Sequence, residues 1–575
     1  MIARLSGRSE SVRGRGWPIP AFLAVVAVVV AWTAWLQLRP GVAVGGRGRE
    51  TVDPAVLRAD LETIVGDGTP RVVGTPGAAA GRDRIAGILQ SLGLAVERQR
   101  TRIERRAGAV DVENLVAMID GSGGDDRPVL AVIAHSDSVP GSPGASDDGA
   151  GVAALCAVAR ALVARPPVHD VLLLVTDGEE RGLLGAQAFM AQHPAAGSIG
   201  AVVNLDARGA SGPAAIFELG PQSAWLAAII ADFVPAPRTQ SLAAAIYERM
   251  PNGTDFTVFL EAGMTGFNVA FIGDVAAYHR PEDTVERQCP WTRAHLAQTA
   301  LGLVRGLDAR WPSDAAPPAD RAVFGDLLGV AVLRWPEGWT PWVVGLSALV
   351  LAAGCLRARI RDAMGPELLR LAVQHLGPHR GAGDGASEVP RLPSLAHGVS
   401  LAFSACLVVV VASAALGWAL AAGASASGVD VAVAPVRSWS IALLGWLAAA
   451  ALAAGAGSWL APRATPWDVV MGTWAVWAAP TAAAAWVLPA ASMPLAVPLA
   501  AAAGACLFAR LRPSGGGGIV ALAGACAAIA TWIPLEPLVF DALGLAIGAF
   551  NGLRAGLVAM TAVPVVAIAV RARGR

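Results

Sequence analysis

Apolar and polar positions divide the 575-residue chain into three kinds of segment. The first is an uncharged run, PIPAFLAVVAVVVAWTAWLQL at 18–38, which has the ~20 residues that a helix needs to cross a bilayer. A long middle stretch, Thr51–Arg310, mixes apolar and charged residues as a globular domain does. Apolar runs return after Trp335 and predict seven further membrane helices. We expect these at Trp339–Leu356, Leu395–Ala422, Ser438–Leu460, Trp467–Leu488, Ala496–Ala509, Ile519–Leu535 and Leu553–Val570.

The arginine distribution predicts how these segments are oriented. Arginines precede the first apolar run, which places the N-terminus in the cytoplasm. With eight spans in total, the later arginine clusters also fall on the cytoplasmic side, and Arg437 is the exception. Seven or nine spans remain as alternatives, and the first run is long for a cleaved signal peptide. We therefore expect a multi-pass protein of the cell membrane. Its parts are a cytoplasmic tail at 1–17, an anchor at 18–38, an extracytoplasmic domain at 51–310, a linker at 311–337 and an all-α membrane domain at 338–571 with about seven helices.

Composition narrows the range of partners. Hydrophobic residues make up 54% of the chain and charged residues 15%, which is too apolar for a wholly soluble protein. The formal net charge is zero, so the chain lacks the basic footprint of a nucleic-acid-binding protein. We expect a lipid bilayer as a partner and no nucleic acid, and the pattern carries no signal for an oligomeric state.

The outer domain has the pattern of an α/β fold. Short apolar runs that suit buried strands lie at Val129–Ala134, Val171–Val175, Ala201–Leu205 and Phe267–Ile272. Helical periodicity appears at Ala80–Leu92 and Gly149–Val163. Strands that alternate with helices predict a mixed, largely parallel sheet flanked by helices.

Polar side chains follow each of these strands, where a sheet of this type gathers its ligands. Taken singly, each has an ordinary explanation as a loop histidine, a solvated turn or a helix cap. Together, two histidines and several carboxylates at one sheet edge predict a metal site with nitrogen and oxygen ligands. The absence of cysteine from the set favours a catalytic zinc site over a structural one. The residues are His135, Asp137, Asp147, Glu179, Glu180, Asp206 and His279.

Five ordered motifs carry a family resemblance: HSDS, SPGASDDGAGVAALCAVAR, LLLVTDGEERGLLGAQAF, VVNLDARG and YHRPEDT. They resemble the zinc aminopeptidase family that includes the bacterial leucyl-type aminopeptidases, over roughly Thr51–Leu307. RVVGTPGAAAGRDRIAGILQSLGL resembles the opening helix region of that family. A domain of this type joined to many spans is similar to the membrane-anchored branch, the endoplasmic-reticulum and vacuolar membrane metallopeptidases. The resemblance implies a zinc-exopeptidase-like fold and a peptide substrate.

The resemblance also implies two zinc ions and the residues that hold them. His135 and Asp206 would bind one ion, Glu180 and His279 the other, and Asp147 would bridge the two. A bridging carboxylate offers one oxygen to each of two cations that repel each other.

Further roles follow from the same resemblance. Asp137 would orient the His135 ring, Glu179 would be the general base, and Tyr278 would hydrogen-bond the tetrahedral intermediate. We expected Glu179 and Glu180 to point opposite ways from extended backbone. Arg208 and Asp255 are weaker candidates for contact with the substrate. The family usually has a cis peptide bond after the bridging aspartate, so we expect one between Asp147 and Asp148.

These motifs favour a membrane-anchored di-zinc aminopeptidase. Carboxypeptidase or glutaminyl cyclase activity from the same superfamily is an alternative. A transporter or scaffold with a relic peptidase domain is another, although the intact ligand set and Glu179 argue against a relic. Carboxylates outnumber basic residues around the motifs, which favours a pocket for a free substrate amine.

Overall fold

The computed structural model describes most of the chain, including all the residues of the predicted metal site. The described residues are 18–40, 52–106, 108–124, 127–250, 252–312, 316–376, 394–427, 435–509, 516–537, 539 and 548–573. The predicted tail at 1–17 lies outside them.

A seven-stranded mixed sheet organises the outer domain. Its order is β1-β2-β4-β3-β5-β7-β6, and the four neighbouring strands β4, β3, β5 and β7 run parallel. The other pairings, which involve β1, β2 and β6, are antiparallel. The largely parallel sheet predicted from the sequence is confirmed. The strands are β1 Val96–Ile103, β2 Val110–Ile119, β3 Val129–His135, β4 Val171–Thr176, β5 Ile199–Ala207, β6 Ala215–Leu219 and β7 Thr265–Phe271.

Helices cover both faces of this sheet, which is why its central strands are apolar throughout. Every residue of β3, β4 and β7 is buried. On one face, Leu130 and Val132 of β3 belong to a core that also includes residues of helices α2, α4 and α9; on the other, Ile133 packs with Phe189 and Phe256 of α5 and α8. The helices are α2 Pro54–Val65, α3 Pro76–Ser91, α4 Gly151–Ala164, α5 Leu184–Gln192, α6 Ser223–Phe233, α7 Ser241–Tyr247, α8 Asp255–Glu261 and α9 Pro290–Arg310.

The segment expected to be a linker at 311–337 instead contains a β-hairpin. Strands β8 (Ala322–Leu327) and β9 (Ala331–Pro336) pair antiparallel across a turn in which Leu328 and Gly329 both have positive φ. Positive φ at successive turn residues matches the twist of a tight hairpin. Burial explains the difference: Val323 and Phe324 pack in the interior, which a free linker would leave in water.

Each of the predicted apolar segments coincides with helical structure, but not all of these helices have the length of a span. Among the described residues, six helical segments are long and apolar enough to cross a membrane. The predicted spans at Trp467–Leu488 and Ala496–Ala509 are not among these six, and the second of them is a shorter apolar helix. The last predicted span is broken near Thr561. The helices are α1 Pro18–Leu38, α10 Thr340–Leu376, α11 Leu395–Ala426, α12 Pro435–Leu460, α13 Pro466–Val487, α14 Met493–Ala509, α15 Gly516–Trp532, α16 Gly548–Met560 and α17 Val563–Arg573.

We call α1 and the helices from Thr340 onward the membrane domain, and it contacts the outer domain at several points. Trp32 of α1 donates a hydrogen bond from Nε1 to the Leu328 carbonyl in the hairpin turn (2.9 Å). The Ser241 hydroxyl at the start of α7 donates to the Ala490 carbonyl, between α13 and α14 (2.6 Å). The outer domain therefore sits against one end of the helical bundle.

Candidate active site

The carboxyl ends of the four parallel strands bring the predicted metal ligands together. His135 is the last residue of β3, Asp206 lies near the end of β5, and Glu180 and His279 follow β4 and β7. Asp147 comes from a short irregular turn between β3 and α4. Parallel strands end at the same sheet edge, so residues far apart in the chain converge.

Asp147 lies between two groups of possible ligands. One of its oxygens, Oδ1, is 3.1 Å from His135 Nε2, and the other, Oδ2, is 3.2 Å from His279 Nε2. On either side, His135 Nε2 is 3.9 Å from Asp206 Oδ1 and His279 Nε2 is 3.0 Å from Glu180 Oε1. The structure thus forms two groups that share one carboxylate.

These residues fit zinc in number, chemistry and spacing. Each group, His135–Asp147–Asp206 and Asp147–Glu180–His279, has ligand atoms within 4.8 Å of one another. Imidazole nitrogen and carboxylate oxygen are donors that zinc takes at about 2.0–2.2 Å. The donor set also carries more negative than positive charge in a buried place, which a cation would neutralise.

Asp137 supports the site differently from the sequence expectation. Its backbone carbonyl, rather than its carboxylate, is the nearer partner of His135 Nδ1, at 3.1 Å against 3.5 Å for Oδ1. The carboxylate accepts hydrogen bonds from the backbone N–H groups of Glu179 (3.0 Å) and Glu180 (3.3 Å). Asp137 therefore holds both the histidine and the turn that carries the two glutamates.

Glu179 and Glu180 lie in a turn, so the expectation of extended backbone was wrong. The Glu179 carbonyl accepts hydrogen bonds from the N–H groups of Gly182 (2.8 Å) and Leu183 (2.9 Å). Gly178 precedes the turn with φ of +73°, a conformation that glycine adopts without a Cβ clash. The chain must reverse here because α5 begins only a few residues after the strand ends.

The turn that carries Asp147 is stabilised by hydrogen bonds to Asp148 and by close packing at Gly151. The peptide bond between Asp147 and Asp148 is cis, as expected from the family resemblance. The Asp148 carboxylate accepts hydrogen bonds from the backbone N–H of His135 (3.2 Å) and of Gly151 (3.0 Å). A Cβ on Gly151 would lie 2.2 Å from an Asp148 oxygen, so only glycine fits at the start of α4.

Two supporting residues were not predicted from the sequence. Asp283 accepts hydrogen bonds from the N–H groups of Ser146 (2.7 Å) and Asp147 (3.1 Å), and its side chain is buried. Arg71 is also buried and donates to the carbonyls of Ser136, Pro143 and Gly144 at 2.7–2.9 Å. Both residues stand inside quoted motifs, YHRPEDT and RVVGTPG, but only long-range contacts reveal their roles.

Burial and mutual repulsion shift the ionisation of the carboxylates. Burial raises the pKa of Glu179 well above its ordinary value, and the nearby Asp206 and Asp255 raise it further. Burial likewise raises the pKa of Asp206 to about 7. Asp147 also loses solvation, but its hydrogen bonds with His135 and His279 outweigh burial and lower its pKa to about 2. Asp147 is therefore the most stable anion of the group, as a shared ligand requires.

A cavity of about 780 Å³ opens onto these residues. Its polar end is lined by Asp147, Glu179, Glu180, Asp206, Arg208 and Tyr278. Burial raises the pKa of Tyr278, so its hydroxyl keeps its proton and can donate a hydrogen bond. The Tyr278 ring stacks on His279 with 3.7 Å between centroids.

Of the two weaker candidates, the structure brings only one to the cavity. Arg208 lines it, with its guanidinium carbon 5.9 Å from the centre of the Tyr278 ring. Asp255 is 1% exposed, lies outside the lining residues and accepts a hydrogen bond from the Thr176 hydroxyl (2.5 Å). Asp255 begins α8 and does not line the cavity, so its contact with a substrate stays a prediction from the family resemblance.

Solved structures of two enzymes align with part of the chain. An aminopeptidase from Aneurinibacillus sp. strain AM-1 is 14% identical, with a TM-score of 0.39 and coverage of 46% of this chain and 96% of that one. A glutaminyl cyclase from Fimbriiglobus ruber is 22% identical, with a TM-score of 0.37 and coverage of 45% and 97%.

Curated relatives resemble part of the chain. Endoplasmic reticulum metallopeptidase 1 of Mus musculus is 30% identical over 237 residues, which is 40% of this chain and 26% of the relative. Vacuolar membrane protease of Yarrowia lipolytica is 31% identical over 251 residues, 42% of this chain and 24% of the relative. The match thus spans about a quarter of the length of these relatives.

A family model locates the similarity within the chain. Residues 114–304 match the model of Peptidase family M28, and this range contains both ligand groups, Glu179 and Tyr278. The match and the ligand geometry together show that the outer domain is similar to Peptidase family M28 over residues 114–304.

Proposed function

We propose that the chain is a membrane-anchored, extracytoplasmic di-zinc aminopeptidase that removes residues from the free amino end of peptides. The observation that carries the proposal is the Asp147 carboxylate, which directs one oxygen to each of two ligand groups. A single-ion site would have no use for the second histidine and carboxylate. His135 and Asp206 would hold one ion, Glu180 and His279 the other.

The protein's own residues supply the proton transfer. When bound, zinc acts as a Lewis acid and lowers the pKa of a water toward ~7. Glu179 lines the same cavity and binds no ion in this assignment, so it is free to take the proton from the attacking water. Its raised pKa brings it nearer the working pH, which suits a group that must accept a proton and then give it to the leaving amine.

Tyr278 and Asp137 would complete the arrangement. The protonated Tyr278 hydroxyl can donate to the oxygen that becomes negatively charged in the transition state. Asp137 fixes the glutamate turn through two backbone hydrogen bonds, which keeps Glu179 in position without touching the substrate.

The charges in the cavity favour attack from the amino end. Four carboxylates line it, and Arg208 is the only basic side chain among the described residues that do so. A substrate amine is held by carboxylates, whereas a free carboxylate needs arginine or lysine, often as a two-pronged clamp. Arg181 and Arg280, which flank the ligands in sequence, are both exposed.

The assignment of the base is tested with Glu179→Gln in the full-length, zinc-loaded protein. We expect zinc content to be unchanged and turnover of aminoacyl chromogens to fall by about 10²–10⁴-fold, because only proton transfer is removed. Glu248→Gln, which changes an exposed glutamate, is the matched control. Near-normal turnover by Glu179→Gln would show that another group is the base.

The direction of attack needs a separate pair of substrates. A peptide with a neutral first residue should be cleaved when its amine is free and resist cleavage when the amine is acetylated, while amidation of its carboxyl end should have little effect. The opposite pattern would assign carboxypeptidase activity. Cyclisation of a peptide that begins with glutamine, without peptide-bond cleavage, would assign glutaminyl cyclase activity.

A further inference from the structure

The cavity at the candidate active site has an apolar end that is built from two parts of the chain. Phe217 of β6, Ile246 and Tyr247 of α7, and Met250 belong to the outer domain. The Tyr247 ring is held edge-on against Phe217, with 4.7 Å between centroids. Val539, which follows α15 of the membrane domain, also lines the cavity.

A buried hydrogen bond to Pro534, which is near Val539 in the sequence, joins this part of the membrane domain to the outer domain. The Arg238 guanidinium donates a hydrogen bond to the Pro534 carbonyl (3.1 Å), 296 residues away, and forms an ion pair with Asp326 of the hairpin (3.2 Å). Arg238 is 7% exposed and Asp326 is 6% exposed. A buried charge that lost these partners would be left uncompensated, so the contact resists separation of the two domains.

Two further features place the apolar end of the cavity beside the membrane domain. Helix α7, which carries Ile246 and Tyr247, is tied at Ser241 to the carbonyl of Ala490. Ile272 lines the catalytic cavity and also a small neighbouring cavity that is bounded by Gln37 of α1 and by Pro534. The apolar end of the catalytic cavity is therefore adjacent to the membrane domain on more than one side.

We infer that the membrane domain forms part of the substrate pocket, and that Val539 helps to select the side chain of the residue to be removed. The inference rests on the proposed aminopeptidase function and extends it to the helices, which would do more than anchor the enzyme. The chemical class that fits is a peptide whose first side chain is large and apolar, since Val539 lines the same cavity as Phe217, Tyr247 and Met250.

The test compares large and small first residues on full-length variants in lipid nanodiscs. In Val539→Phe, the larger ring fills the apolar end, and we expect the ratio of kcat/KM for leucyl over alanyl chromogen to fall at least tenfold. The value for the alanyl chromogen should fall less than that for the leucyl one, because a methyl group fills less of the apolar end. Val487→Phe is the matched control, because Val487 is 83% exposed at the end of α13.

A smaller side chain provides the second arm in case the phenylalanine disturbs folding. Val539→Ala enlarges the pocket, so kcat/KM for a tryptophanyl chromogen should rise relative to the leucyl one. Unchanged ratios in Val539→Ala, with an active protein, would overturn the inference and leave the aminopeptidase proposal intact. Wild-type protein that is zinc-loaded yet inactive on every unblocked substrate would instead overturn both.

Discussion

Asp283 offers a stringent test of how the outer domain holds its bridging carboxylate. Its two oxygens accept hydrogen bonds from the N–H groups of Ser146 and Asp147, in a place from which water is excluded. In Asp283→Ala both donors lose their partner. Each unsatisfied buried group costs about 1–3 kcal/mol, so the variant should lose roughly 2–6 kcal/mol of stability.

The loss should appear both in folding and in metal binding. A domain of this size shifts its unfolding midpoint by roughly 2–4 °C per kcal/mol, which predicts a fall of roughly 4–24 °C in the metal-free protein. Because Asp147 would no longer be held in place, zinc affinity should also fall by about 10–100-fold. The first quantity is measured by thermal unfolding with a chelator present, and the second by competition with a chromophoric chelator.

Two further variants distinguish the loss of the Asp283 hydrogen bonds from the effect of removing any carboxylate. Asp283→Asn keeps the shape but offers one accepting oxygen, so it should retain part of the stability and lose part of the affinity. Asp111→Ala removes a surface carboxylate that is 71% exposed and paired with Arg102, and it should cost no more than about 1 kcal/mol. If Asp283→Ala bound zinc as tightly as the wild type and unfolded at the same temperature, the proposed support of Asp147 would be refuted.

Three other outcomes follow from the same structure. Asp147→Ala should lose both zinc ions when metal content is measured, and retention of two ions would rule out a shared ligand. His295 is buried, accepts a hydrogen bond from the Ala214 N–H and has its pKa lowered by burial from 6.5 to about 4. The neutral His295 ring therefore contributes fully to stability above pH 6.5, and about 3 kcal/mol of that contribution is lost as the pH falls toward 4. In His295→Gln the free energy of unfolding of the metal-free protein, measured by chemical unfolding, should change less with pH over this range. Reporter fusions after Gly46 should report an extracytoplasmic position and fusions within 381–387 a cytoplasmic one, and the reverse would overturn the proposed topology.

Local sequence patterns were sufficient for the central strands and for the residues at their ends. Uninterrupted apolar runs such as VLLLV at 171–175 can only be buried on both sides, and the polar residues that follow them are then forced to one edge. His135, Asp147, Glu180 and His279 were found this way and with the family motifs, and the structure brings them together. Strand β1 carried no such signal, because VERQRTRI alternates partly exposed charged residues at the edge of the sheet.

Contacts between distant segments decided the rest. The support of Asp147 by Asp283 joins residues 136 positions apart, and the choice of backbone carbonyl over carboxylate as the His135 partner depends on where the glutamate turn lies. The hairpin at 322–336 is stable because it packs on the outer domain and receives Trp32 from α1, neither of which its own sequence specifies. The position of Val539 in the cavity lining also depends on long-range contacts, because a pocket forms between surfaces that meet only after the whole chain has folded. Local patterns determine which residues must be buried or turned, whereas the tertiary structure alone determines which of them become neighbours.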